Sequence, residues 1–280
     1  MKPILIPASY NYLGIFLTMK CQLGCSYCIN NFGTVKKDWK ELSGGDWIKG
    51  LSRIETREDR PLSLQGGEPL LHPDFYSIVE GLNDRGQRLD LLTNGTFDHR
   101  KFMDNIHWNV FNRQAKYASL RFSFHQNTNA VGLALKVSEM ISNHYNCGIW
   151  GLNHPHMEKK NEEMADLCKW LGIDYREKEY LDTTHGDYKY KNAVSGSTSN
   201  SIVMCKASEL LIAPDGSIFR CHSDLYAGVN PIAHILDENV EIKEEFRPCN
   251  RYGLCNPCDI KIKTNRFQEW GHTSVEIKEE

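Results

Sequence analysis

The stretch Cys21-Gln-Leu-Gly-Cys25-Ser-Tyr-Cys28 places three cysteines in a C-x3-C-x2-C pattern. It directly follows an apolar run at residues 13–18 that is typical of a buried strand. Three thiolates on one short loop can hold three irons of a cubane cluster and leave the fourth iron open. A closed electron-transfer cluster and a structural zinc site each take four ligands. The pattern therefore indicates a reactive metal site, with a zinc loop or a chance group of structural thiols as the alternative.

The triad, with the aromatic residue Tyr27 before its third cysteine, resembles the hallmark of the radical S-adenosylmethionine (radical SAM) superfamily. The resemblance implies that Cys21, Cys25 and Cys28 hold a 4Fe-4S cluster. Its open iron would be chelated by the amino and carboxylate groups of the methionine part of SAM. One electron from the cluster would then cleave SAM to methionine and a 5′-deoxyadenosyl radical, which abstracts a hydrogen atom from the substrate.

Three later segments resemble parts of the family that bind SAM. In Gln65-Gly66-Gly67-Glu68-Pro69, the glycines allow close backbone approach to a ligand and Glu68 offers an acceptor for an ammonium group. The resemblance implies that this segment holds the methionine amino group. It also implies polar contacts to SAM from Asn94, in a Thr-Asn-Gly turn, and from Ser123. Because Ser123 lies between two phenylalanines, strand alternation puts it on the opposite face, towards the barrel interior.

Short apolar strands alternate with helical patterns, which predicts βα units and a mainly parallel sheet. The predicted strands cover 13–18, 61–65, 88–93, 119–124, 147–152 and 173–178, and the predicted helices cover 45–56, 73–84, 98–105, 131–145 and 158–171. Six βα units are too few for a closed eight-stranded barrel. They match the open, partial (β/α)6 barrel that the radical SAM resemblance implies.

The composition changes after about residue 180. Residues 209–220 contain two strand-like halves around a Pro-Asp-Gly turn, which predicts a hairpin. We therefore expect a radical SAM partial barrel at residues 1–200 and a small cysteine-rich β-hairpin/helix extension at residues 201–280.

The extension contains a second group of cysteines. Cys205 and Cys221 flank the hairpin and Cys255-Asn-Pro-Cys258 is a C-x2-C pair, so the two pairs can form a four-thiolate site for zinc or for an iron–sulfur cluster. The C-x10-G-x4-C run with a later C-x2-C resembles the SPASM/Twitch extensions of radical SAM enzymes. The resemblance implies one auxiliary 4Fe-4S cluster held by these four cysteines. Cys249 either replaces one of them or is a free thiol that returns a hydrogen atom to the substrate.

Candidate substrate contacts lie beyond the carboxyl ends of the predicted strands, where ligands of parallel sheets bind. They are Asn30, His125, Gln126, Asn153, His154 and His156, with the three histidines preferred as substrate residues. Each histidine can equally be a structural or a surface residue. Cys147 and Cys168 are expected in the core, because Cys168 lies on the apolar stripe of its helix and buried thiols are common.

The whole chain is typical of a soluble globular protein, with 280 residues, 40% hydrophobic and 25% charged residues, and a net charge of −3. It has no apolar run of about 18 residues and no signal-peptide pattern at its start, which predicts a cytoplasmic protein without a membrane partner. Ten cysteines without a secretion signal favour metal binding over disulfides. The slightly acidic balance does not indicate a nucleic-acid partner.

These observations predict a radical SAM oxidoreductase-type enzyme that acts on a small, sugar-like molecule or on a peptide. An auxiliary cluster as electron acceptor favours oxidation, whereas hydrogen return from Cys249 would give epimerisation. Flavodoxin or ferredoxin is the expected kind of reductant. An RNA-modifying radical SAM enzyme and a non-catalytic zinc or iron–sulfur protein are the alternatives. The sequence leaves the substrate open.

Overall fold

The computed structural model describes residues 1–28, 30, 38–57, 60–113, 115–179, 202–249 and 275–279. Its strands are β1 Ile4–Leu5, β2 Tyr12–Thr18, β3 Ile54–Glu55, β4 Leu62–Gly66, β5 Leu89–Thr93, β6 Leu120–Ser123, β7 Cys147–Asn153, β8 Asp174–Glu179, β9 Val203–Ala207, β10 Glu209–Ile212, β11 Ser217–Phe219, β12 Ala233–His234, β13 Arg247–Cys249 and β14 Val275–Glu279. Its helices are α1 Gly44–Leu51, α2 Phe75–Asn83, α3 His99–Asn105, α4 Ala130–Ser142, α5 Glu158–Leu171 and α6 His222–Ala227.

Nine of these strands form one sheet in the order β12-β11-β10-β2-β4-β5-β6-β7-β8. The run from β10 to β8 is parallel, and β11 and β12 continue it in antiparallel pairing. Each of the six predicted barrel strands is present within one or two residues of its predicted bounds. The predicted α/β class with a parallel sheet is confirmed.

The second strand, β2, is buried on both faces, as its uninterrupted apolar sequence predicts. Ile15 and Leu17 belong to the core between the sheet and its helices. Phe16 points the other way and packs with Leu211 and Phe219 in the barrel interior. Because its two faces serve two cores, β2 is held firmly at the point where the cysteine loop begins.

Two predicted helices are shorter than their sequence pattern suggested. The helix predicted at 45–56 ends at Leu51, because Ser52 caps it and Ile54 then pairs with Ile4 in a parallel β1–β3 contact. The helix predicted at 131–145 ends at Ser142, because His144 adopts a φ of 71°, which helix geometry does not allow. Both endings depend on backbone conformation or distant pairing, which periodicity does not report.

The predicted hairpin at 209–220 is present as β10 and β11. Its first strand also pairs in parallel with β2, from Glu209 opposite Tyr12 to Ile212 opposite Ile15. The boundary between residues 200 and 201 stays a prediction, and the hairpin beyond it is hydrogen-bonded to the barrel sheet. A separate sheet of order β13-β9-β14 carries other residues of the extension. Within the described ranges, no helix is long and apolar enough to cross a membrane.

Candidate active site

Three sequence segments meet at the carboxyl end of the parallel sheet. The β2 strand leads into the cysteine loop, and β4 leads into Gly66-Gly67-Glu68 beside it. The Gly67 amide donates to the Thr18 carbonyl at 2.8 Å, and the Glu68 amide donates to the Lys20 carbonyl at 2.7 Å. The glycine segment is therefore hydrogen-bonded to the chain that enters the cysteine loop.

The two glycines are required by this backbone contact. A Cβ atom on Gly66 would overlap the Thr18 carbonyl oxygen, and one on Gly67 would overlap the Lys20 carbonyl oxygen. Gly66 also has a φ of +145°, a conformation that side chains disfavour. The sequence suggested that the glycines approach a ligand. The close approach that the structure contains is between two stretches of this chain.

Glu68 is 1% exposed, and hydrogen-bond donors surround its carboxylate. It accepts hydrogen bonds from the Thr93 hydroxyl at 2.9 and 3.0 Å, from the Asn94 amide at 2.8 Å and from the Leu70 amide at 3.3 Å. Burial raises the pKa of Glu68 above its ordinary value, and these hydrogen bonds oppose the rise. The carboxylate thus ties the end of β4 to the end of β5.

Asn94 links this turn to the cysteine loop. Its side-chain amide lies 3.6 Å from the Cys21 sulfur, a long contact that suits a sulfur acceptor. Its amide oxygen accepts from the Thr96 backbone amide at 3.0 Å, which fixes the side chain. Gln22 of the cysteine loop also bonds to Thr96. A series of contacts from Glu68 through Asn94 to Cys21 therefore joins all three segments.

Tyr27 attaches the other end of the loop to β6. Its hydroxyl lies 3.3 Å from His125 Nδ1 and accepts from the Gln126 amide at 3.2 Å, and its ring stacks on His125 at 6.0 Å. Burial, with a smaller effect from the charge of Lys178, lowers the pKa of His125 to about 4. The imidazole is therefore neutral at physiological pH, and its Nδ1 can accept a hydrogen bond from the tyrosine hydroxyl.

A cavity of about 520 Å³ opens beside the cysteine loop. The loop, the turn after β5, the end of β6 and the start of α4 line it. Among its lining residues, Lys136 donates to the Gly95 carbonyl at 2.6 Å and to the Phe97 carbonyl at 2.7 Å. The cavity places polar side chains and Tyr27 around a space beside Cys25.

The donor set of the loop fits a three-thiolate cluster, because Cys21, Cys25 and Cys28 are soft ligands on one short segment. Burial raises the pKa of the Cys25 thiol above its ordinary value, and the neighbouring Tyr27 opposes the rise. In the part of the chain that the structure describes, no three Cys, His, Asp or Glu side chains form a ready metal site. Residues 29 and 31–37, which follow the triad, lie outside that part.

Residues 15–111 match the family model described as the Radical SAM superfamily. Over these residues the chain is similar to the radical SAM superfamily. An S-adenosylmethionine-dependent nucleotide dehydratase of Selenomonas ruminantium is 32% identical over 85 residues, which span 30% of this chain and 30% of that protein. Molybdenum cofactor biosynthesis protein 1 of Mus musculus is 38% identical over 89 residues, 31% of this chain and 14% of that protein. The chain thus matches less than a third of the length of either relative.

Solved structures share the fold of this chain. Streptococcus suis SuiB bound to S-adenosylmethionine matches 82% of this chain and 62% of its own, with a TM-score of 0.51 and 15% identity. The anSMEcpe enzyme with bound AdoMet and Kp18Cys peptide matches 84% of this chain and 78% of its own, with a TM-score of 0.54 and 15% identity. The likeness confirms the predicted partial-barrel fold.

Beyond residue 200, the structure describes three cysteines, Cys205, Cys221 and Cys249. Cys205 lies in β9 and Cys249 in β13, and the β9–β13 register puts both on one face of the small sheet. Cys221 follows the hairpin, and its sulfur accepts from the Asp224 amide at 3.5 Å. Burial lowers the pKa of Arg220, but the interactions with Asp224, Cys221 and Cys205 outweigh this effect and raise the pKa above its ordinary value. Cys255 and Cys258 lie outside the described residues.

The other predicted residues occupy varied places. Cys147 and Cys168 are buried in the core as expected, and burial raises the pKa of Cys168 to about 11. Ser123 is half-buried at the end of β6, and His154 is half-buried with its ring 5.5 Å from that of Tyr27.

Of four further candidates for substrate contact, three are exposed and one is hydrogen-bonded to the backbone of the site. His156, Gln126 and Asn153 are exposed. Asn30 donates to the Gly66 carbonyl at 2.7 Å and so supports the glycine segment. The roles of all four in substrate binding stay predictions.

Sequence reasoning missed several residues that organise the site. Thr93 donates a hydrogen bond to the Glu68 carboxylate, and Lys136 of α4 donates one to the Gly95 carbonyl in the turn after β5. Glu209 and His222 form a buried contact in the barrel interior. One signal was available for Glu209, because a carboxylate next to the apolar run Leu-Leu-Ile-Ala is unusual.

Proposed function

We propose that the chain is a radical SAM enzyme that cleaves SAM reductively and removes a hydrogen atom from a small, sugar-like molecule or from a peptide. The observation that carries the proposal is the run of contacts from Glu68 through Asn94 to Cys21. It brings the three motif segments together at the carboxyl end of the sheet, where parallel folds bind their ligands.

In this proposal, Cys21, Cys25 and Cys28 hold a 4Fe-4S cluster with one open iron. When bound, that cluster supplies the electron that cleaves SAM to methionine and a 5′-deoxyadenosyl radical. Because the Glu68 carboxylate already accepts hydrogen bonds from Thr93 and Asn94, backbone carbonyls of the glycine segment are the better acceptors for the methionine ammonium. Asn94, Ser123 and Tyr27 would bound the rest of the SAM site.

Both proposed substrate classes occur among similar proteins. SuiB has been solved with precursor peptide SuiA, at 13% identity and a TM-score of 0.55. The relative from Selenomonas ruminantium is a nucleotide dehydratase. We propose oxidation or epimerisation as the outcome, with flavodoxin or ferredoxin as reductant. Oxidation would use an auxiliary 4Fe-4S cluster on Cys205, Cys221, Cys255 and Cys258, whereas epimerisation would use Cys249 as hydrogen donor, unless Cys249 is itself a ligand.

Anaerobic reconstitution followed by metal analysis and a dithionite-driven SAM cleavage assay tests the proposal. We expect about eight irons per wild-type chain, from two four-iron clusters, and release of 5′-deoxyadenosine. The Cys21→Ala/Cys25→Ala/Cys28→Ala variant should lose about half of the iron and all cleavage. Cys168→Ala, which changes a core thiol, is the matched control and should keep both. Zinc in place of iron, with no 5′-deoxyadenosine, would contradict the proposal.

A further inference from the structure

The side chain of Asn94 is buried, and its two ends have different hydrogen-bond partners. Asn94 directly follows β5 and is 6% exposed. Its Oδ1 accepts from the Thr96 backbone amide at 3.0 Å and from the Thr96 hydroxyl at 2.7 Å. A backbone amide can only donate, so this end of the side chain must be the oxygen. The NH2 group is therefore the end that lies 3.6 Å from the Cys21 sulfur.

The Cys21 sulfur accepts from a second N–H group, which belongs to the loop itself. The Leu23 backbone amide donates to it at 3.4 Å. Two donors from different segments thus converge on one sulfur of the triad. Hydrogen bonds to an ionised acceptor are stronger than those to a neutral one. Both contacts therefore gain strength when the Cys21 thiol becomes a thiolate ligand.

The contacts of Asn94 belong to a ring of hydrogen bonds that begins and ends in the cysteine loop. Gln22 donates to the Thr96 hydroxyl, and that hydroxyl donates to Asn94 Oδ1. Asn94 then donates to Cys21, the residue before Gln22. All donors run in one direction around the ring, so each bond polarises the next. Rotation of Asn94 would break its bonds to Thr96 as well as its contact with the sulfur.

We propose that Asn94 donates a hydrogen bond to Cys21 as a ligand of the cluster on the cysteine loop, and that this bond raises the reduction potential of that cluster. The inference rests on the loop cluster in the proposed function. Hydrogen bonds to the sulfurs are one of the factors that set the potential of an iron–sulfur cluster. Reduction adds negative charge, which an N–H donor stabilises more in the reduced state than in the oxidised state. A flavodoxin or ferredoxin could then reduce the cluster more easily.

The test uses the full chain with Cys205→Ala and Cys221→Ala, so that the proposed auxiliary site does not contribute to the signal. Asn94→Leu keeps the size of the side chain but removes the N–H donor. We expect unchanged iron content and an equilibrium constant for one-electron reduction that is about tenfold smaller, a fall of about 59 mV in midpoint potential. Asn109→Leu makes the same change at an exposed asparagine and should leave the potential unchanged.

A second measurement detects the hydrogen bond itself. The double-alanine chain is produced with ¹⁵N-labelled asparagine, and the EPR spectrum of its reduced cluster is examined for a hyperfine coupling to the label. We expect a ¹⁵N coupling that Asn94→Leu abolishes and Asn109→Leu retains. A residue that only supports the turn after β5 would not produce this coupling.

The outcomes separate this inference from the loop cluster itself. A double-alanine chain that binds no iron would overturn both the cluster and the role of Asn94. If that chain is iron-replete and Asn94→Leu leaves its midpoint potential unchanged, only the inference is overturned. If Asn94→Leu fails to hold iron, the chain with Asn94 intact decides the question, because absence of the ¹⁵N coupling there would overturn the inference.

Discussion

At the scale of single residues, Glu68 shows how much of the candidate site can be predicted from the sequence. The Gly-Gly-Glu pattern identifies Glu68 as a residue of the candidate site, and the structure places it between β4 and β5. Its partners Thr93 and Asn94 are 25 and 26 residues away. No local pattern links them, so the direction of the carboxylate could not be predicted. Only the packing of adjacent strands determines it.

His125 gives a prediction for the same scale. Since the pKa of His125 is lowered to about 4 from 6.5, the unfolded chain binds more protons than the folded chain between these values. The contribution of His125 to stability is therefore present above pH 6.5 and is lost as the pH is lowered towards 4. From about pH 7 to about pH 5, the contribution of His125 to the free energy of unfolding should fall by about 2 kcal/mol.

Chemical denaturation of wild type and His125→Gln across this pH range measures that contribution. The difference between the two unfolding free energies should change with pH, because glutamine does not titrate. His156→Gln, at an exposed histidine, is the control and should leave the pH dependence of wild type unchanged. Parallel curves for wild type and His125→Gln would contradict the lowered pKa of the half-buried His125.

At the scale of elements, the barrel strands were predictable because each is a short apolar run bounded by polar turns. The strand predicted at 147–152 is Cys147–Asn153, and the helix predicted at 158–171 is Glu158–Leu171. The parallel pairing of β10 with β2 was not predictable, because the partners are far apart in the chain and strand pairing leaves no local pattern. The same holds for the short β1–β3 contact that ends α1 early.

The glycine segment gives a prediction for this scale. Gly67→Ala should push residues 19 and 20 away from β4, because the new Cβ would overlap the Lys20 carbonyl oxygen. We expect a loss of about 1–3 kcal/mol in unfolding free energy, typical of overpacking, together with reduced iron at the cysteine loop and less SAM cleavage.

Gly45→Ala is the matched control for that variant. Gly45 is also the second residue of a Gly-Gly pair, but its Cβ would meet only the Ser43 hydroxyl at 3.9 Å. This variant should be as stable as wild type and should keep its iron. Equal iron content and melting temperature in the two variants would show that the glycine segment does not support the cysteine loop.

At the scale of the whole molecule, β2 connects the two proposed metal sites. Its carboxyl end enters the cysteine loop, and along its length it pairs with β10, whose hairpin is followed by Cys221. The sequence separated these parts into a barrel and an extension. Because the sheet joins them, a displacement of β2 would shift residues at both sites.

The central claim is that SAM binds the cluster on the cysteine loop. The most direct test is the EPR spectrum of the dithionite-reduced Cys205→Ala/Cys221→Ala chain, recorded without and with SAM labelled with ¹⁵N at the amino group. We predict that SAM changes the cluster signal and that the label adds a hyperfine coupling, which Cys21→Ala in the same chain should abolish together with the signal. A cluster signal unaffected by saturating SAM would contradict the account.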